Sequence, residues 1–165
     1  MQTLITRNDI AKYRQISKTP NDGKLNEMIL DAQILDLQPI IGENLSNKLM
    51  ASPQDYEELL EGGIYEADGI GYTNYGLKMV LAYFAYARYM MFSSVTDTPY
   101  SVVEKLNPDS RPVDTVAKKT IYSLNRDAAF TIWENVKRYL VRTRHPDFIA
   151  GKVLSGKGLT LKKIG

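Results

Sequence analysis

From Val113 to Arg144 the chain runs without a single glycine or proline, and a stretch that long admits one extended helix and little else. Ser110 and Pro112 supply its opening, and His145-Pro146 closes it. Val113, Val116, Ala117, Ile121, Leu124, Ala128, Ile132, Val136 and Leu140 recur at helical spacing and make one apolar stripe. Tyr122, Phe130 and Trp133 fall on another side. Two strips are more apolar surface than one neighbouring helix covers. Either both are buried within the chain, or the aromatic strip meets a partner subunit.

The rest of the chain reads as shorter helices. Thr6 and Asp9 form a helix start that carries to about Gln15. Asn21 or Asp22 caps a second helix with Leu25, Met28, Ile29, Ala32 and Leu35 inward, and Pro39 is expected to end it. Residues 43–50 form a third, with Leu45 and Leu49 facing the core, and Ser52-Pro53 opens an acidic fourth to about Leu60. Five glycines and three tyrosines between Gly62 and Gly76 predict a mobile surface loop of tight turns. Asn74 then opens a helix to about Phe92 that is apolar on most sides and therefore central. Between Thr96 and Asp109, Ser101–Leu106 fits a strand or half of a short hairpin.

The fold class expected is all-α: a small helical bundle with one long C-terminal helix, a short β-hairpin between the last two helices and an extended C-terminal arm. At 165 residues, with 44% hydrophobic and 24% charged side chains, the chain suits one domain over residues 1–145 and an appendage over residues 146–165. The first residues lack the apolar stretch of a signal peptide, and residues 79–92 fall short of a membrane span, so neither export nor membrane insertion is expected. Charge divides unevenly. Eight basic residues and one acid follow Glu134, whereas the preceding chain is acidic overall. The first four of these charges belong to the end of the long helix, where they complement its dipole.

Catalytic chemistry has no visible apparatus, and an enzyme is not expected. The chain holds no cysteine and one histidine, His145, whose place at a helix end fits a structural role. No metal site or cofactor is indicated. Gly151 to Gly158 approaches the phosphate-loop pattern but has Gly158 where a magnesium-holding hydroxyl is required. Asp55, Glu57, Glu58 and Glu61 read as the solvated face of a short helix.

The run from Asp31 to Gly42, the segment 45–49, the stretch Tyr75-Gly-Leu-Lys-Met-Val-Leu-Ala-Tyr-Phe-Ala-Tyr-Ala-Arg-Tyr89, and Thr98-Pro-Tyr-Ser-Val-Val-Glu104 together resemble the tailed-phage head-to-tail connector proteins. The resemblance covers most of residues 3–144. It implies a virion protein of the neck, assembled in the host cytoplasm as a homo-oligomeric ring, commonly twelve-fold. Such a ring joins the portal protein to tail or further neck proteins and lets DNA pass through its lumen without sequence-specific contacts. No membrane is implied.

The arm carries Lys152, Lys157, Lys162 and Lys163 interleaved with Val153, Leu154, Leu159, Leu161 and Ile164. Apolar and charged anchors in alternation suit docking on the portal or a neighbouring ring better than phosphate contacts alone. The alternative is a small DNA-binding protein that uses this basic tail, which would bind duplex with a steep salt dependence.

Overall fold

A computed structural model describes residues 2–17, 22–93, 95–97, 102–104 and 113–149. The candidate arm residues Lys152, Val153, Leu154, Lys157, Leu159, Leu161, Lys162, Lys163 and Ile164 lie outside them, as do Ser110 and Pro112. The protein is mostly helical, with two small antiparallel hairpins.

Helix α1, Arg7–Ala11, starts where Asp9 Oδ2 accepts hydrogen bonds from both the backbone N–H and the hydroxyl of Thr6, at 2.9 and 2.8 Å. It stops four residues short of Gln15. Helix α2, Gly23–Ala32, buries Leu25, Met28, Ile29 and Ala32 as its periodicity requires.

The second helix does not end before Pro39. A π-helical turn, Gln33–Leu37, leads directly into α3, Gln38–Ile41, with Pro39 in its first turn. The Gln38 N–H reaches back five residues to the Gln33 carbonyl. That wider turn makes room for a proline ring that a regular helix would reject. The extra residue also shifts the helical phase. Leu35, expected inside, is 57% exposed and Ile34 42%, while Gln33, Asp36 and Leu37 turn inward.

Gly42, at φ +88°, divides α3 from α4, Glu43–Ala51, in which Leu45 and Leu49 are buried as expected. A 3-10 turn, Pro53–Tyr56, leads into α5, Glu57–Glu61. The glycine-rich segment is not a loop of turns but a hairpin of β1, Gly63–Ala67, and β2, Ile70–Asn74, closed by Asp68-Gly69 with both residues at positive φ. An aspartate-glycine pair between two five-residue runs is the sequence signal for this hairpin.

Helix α6, Leu77–Phe92, is central, with Leu77, Val80, Leu81 and Phe84 buried among α1, α2, α5 and the long helix. Asn74 ends β2 instead of opening α6. Its side chain donates to the Glu58 carbonyl and accepts from the Gly76 N–H, at 3.0 and 3.1 Å. Strands β3, Val95–Asp97, and β4, Val102–Glu104, pair between the last two helices, where a short hairpin was expected.

Helix α7, Thr115–Arg142, is capped by Asp114, whose carboxylate accepts from the Ala117 N–H at 2.8 Å. Only the second half of its apolar stripe is covered. Ile132, Val136 and Leu140 are buried, whereas Val113, Val116 and Leu124 are 47, 75 and 64% exposed. Length explains the exposure of Val116: α6 spans about 24 Å and α7 about 42 Å. Phe84 packs on Phe130, and Asp36 bridges Arg88 to Arg126, so the two helices run antiparallel. In that register Phe92 ends α6 level with Tyr122, and the first two turns of α7 extend beyond it. No helix among the described residues is long and apolar enough to cross a membrane.

Candidate subunit interface

The three aromatic residues of the second strip have different surroundings. Trp133 is 5% exposed and meets Phe148 edge to face at 6.0 Å between centroids. It belongs to the chain's own core and is removed from the surface strip, because the segment after α7 folds back over it. Phe130 is 40% exposed, with its inner edge against Phe84 at 5.2 Å. Tyr122 is half-buried, one face toward the Arg126 guanidinium at 5.3 Å. Arg126 also lies 5.7 Å from Phe130.

What holds Arg126 between these rings is Asp36. Its buried carboxylate takes the Arg88 Nε–H at 2.6 Å on one oxygen and Arg126 on the other. Burial works against the Arg88 charge, but the hydrogen bond from the guanidinium to Asp36 outweighs it and raises the arginine pKa. A carboxylate out of water is costly unless charge and hydrogen bonds compensate it, and here three elements converge to do so. Sequence reading missed this cluster. Its signal was Arg88, the one charge inside the most apolar stretch of the chain, which required a buried partner.

A second cluster fixes the root of the arm. Asp147 Oδ1 accepts from Lys48 Nζ at 2.5 Å and Oδ2 from the Tyr56 hydroxyl at 2.8 Å. Lys48 and then Tyr56 hold the Asp147 carboxyl below its ordinary pKa, and the same bonds raise theirs. The His145 ring lies 5.9 Å from Tyr56, and its Nδ1 accepts the Asp147 N–H at 3.3 Å. Burial lowers the His145 pKa. Burial thus favours the neutral ring over a positive charge at the helix end. Phe148 is buried. The body thus includes Asp147 and Phe148, beyond the boundary expected at residue 145.

The β1–β2 hairpin packs on the end of α7. Tyr65 meets Tyr139 edge to face at 4.9 Å, the Arg142 guanidinium covers Tyr72 at 3.8 Å, and Asn135 bonds the backbone of both Thr73 and Tyr75. One of the four basic residues at the helix end is therefore occupied in fixing the hairpin.

Among the described residues, no group of three or more histidine, aspartate or glutamate side chains could hold a metal ion. What the surface offers instead is apolar: Phe130 at the rim of the Arg126 cluster, Val113 just before α7, Val116 on the turns that α6 does not reach, and Leu124 level with the end of α6. A protein family described as a family of unknown function, DUF6712, matches over residues 37–155. No curated protein and no solved structure matches the chain.

Proposed function

We propose that this chain, which belongs to the DUF6712 family of unknown function, is a structural ring subunit at the neck of a tailed phage, joining the portal to the tail around the passing DNA. The head-to-tail connector resemblance of residues 3–144 supplies the particle. The observation that carries the oligomeric part is the uncovered first half of α7, where Val116, beyond the end of α6, and Leu124, level with its last turn, stand in solvent, with Val113 just before the helix. Long apolar side chains grouped on one element mark contact surfaces more often than free ones. An arginine set between partly exposed aromatic rings, as Arg126 is between Tyr122 and Phe130, is the composition of an interface centre. The arm residues Lys152 to Ile164 fit docking on the portal or a neighbouring ring.

Electron microscopy of the chain mixed with its portal tests this reading. A symmetric ring seated on the portal is the expected result. Consistent absence of the chain from purified particles would end the idea.

A further inference from the structure

Two surfaces of this chain complement each other, and both face solvent in one copy, apart from Arg142, which is held against Tyr65 and Tyr72. The first is a groove on the outer side of the last turns of α7. Glu134, Lys137, Arg138, Val141 and Arg142 line a hollow of about 210 Å³. Val141, 50% exposed, is its apolar centre. Three basic residues surround it against one acid, and Glu134 already pairs with Lys137 at 3.7 Å. Arg138 is exposed.

The second surface is a ridge. Glu27, Asp31 and Leu35 follow one another at four-residue steps along α2 and the π-helical turn, with Ile34 beside Leu35. A regular helix through residue 35 would have carried Leu35 into the core. With the added residue of the π turn, Leu35 joins Ile34 outside while Asp36 stays inside. A π turn weakens helical hydrogen bonding, and such turns gather at functional positions. Its consequence here is an apolar pair with two carboxylates one and two turns before it.

We infer that the groove around Val141 takes the Leu35 ridge of a second copy, with Lys137 and Arg138 facing Glu27 and Asp31. The signs match: a basic rim around an apolar floor meets acids flanking an apolar knob. Both surfaces sit on packed helices, so the contact needs no refolding of either. The inference rests on the oligomeric reading above and names the contact that would join one subunit to the next.

The chain has no cysteine, which makes disulfide trapping clean. Full-length Leu35→Cys and Val141→Cys chains, mixed and oxidised, are expected to form a mixed disulfide. Leu35→Cys with Val116→Cys, more exposed than Val141 but on the overhang, is expected to form at least about tenfold less. Arg138→Glu is expected to lower the trapped yield by about tenfold, and Glu27→Arg in the other chain to restore it, because restoring the sign restores the contact. Circular dichroism of each variant checks that these surface changes leave the fold intact. Equal trapping at Val116, or a loss at Arg138→Glu that Glu27→Arg does not restore, would overturn the contact while leaving a ring built through other surfaces. A wild-type chain that stays monomeric both alone and beside the portal would overturn the contact and the ring together.

Discussion

Trp133 and Phe148 meet edge to face at 6.0 Å, and this contact sets where the folded body ends. Phe148 lies in the core with Ile132, Trp133 and Val136, and the Asp147 bonds to Lys48 and Tyr56 hold it there. A chain cut after Ile149 keeps all of these contacts and is expected to melt within about 2 °C of the full chain. A cut after Pro146 removes the ring and the carboxylate together. Burial of a phenylalanine is worth about 3 kcal/mol, so that shorter chain is expected to melt several degrees lower. Trp133 is the sole tryptophan, and its fluorescence should move to the red in the shorter chain alone. For the same reason, a test of the arm in ring assembly needs the cut after Ile149.

Asp36→Asn should be among the most damaging single changes of a surface-distant residue. It leaves Arg88 and Arg126 with no carboxylate between them, and breaking a buried pair from one side costs about 3 kcal/mol. Replacing the cluster together, as Asp36→Leu with Arg88→Met and Arg126→Met, should recover most of the loss. Urea unfolding of the two variants separates the cost of an orphaned charge from that of lost packing.

Acidification should loosen the arm root before the rest of the body. Burial lowers the folded His145 pKa below 6.5, so the unfolded chain binds a proton first as pH falls through that value. Stability contributed by neutral His145 is then lost between 6.5 and its folded pKa. Asp147 acts later. Its carboxyl is held below 3.8 by Lys48 and Tyr56, so its contribution is complete above that value and disappears as pH falls through the folded pKa. Melting temperatures at pH 7 and pH 5 should differ more for the wild type than for His145→Gln, in which the first titration is absent.

Gly62 and Gly76 cross with backbone against backbone where the hairpin leaves and rejoins the helices. A Cβ on Gly62 would lie 2.4 Å from the Asn74 carbonyl oxygen, and one on Gly76 2.6 Å from that of Leu60, with φ near +80° at both. Alanine at either position is expected to cost about 2 kcal/mol or more. Gly71→Ala, which meets open space on the same hairpin, should change stability by about 0.5 kcal/mol or less. Thermal melts of the three variants test the crossing.

Much of this architecture was legible from periodicity. Leu45 and Leu49 in α4, the buried face of α6 and the unbroken helix α7 all follow from apolar spacing and the positions of glycine and proline. The π turn was not legible, because one added residue leaves composition unchanged and only shifts phase, so Leu35 moves out. Asp68-Gly69 did carry the hairpin signal, which the surrounding glycines obscured. The exposed start of α7 was hidden for a different reason. Spacing shows that Val116 shares a helix with Val136, but not that α6 is too short to reach it.

The mass of the full-length chain in solution, measured alone and again after mixing with portal, tests the ring most directly. The account predicts a single closed species beside the portal whose mass is a whole multiple of 18.7 kDa, and its loss when the surface contacts are reversed in sign. A chain that remains at 18.7 kDa in both samples would contradict it.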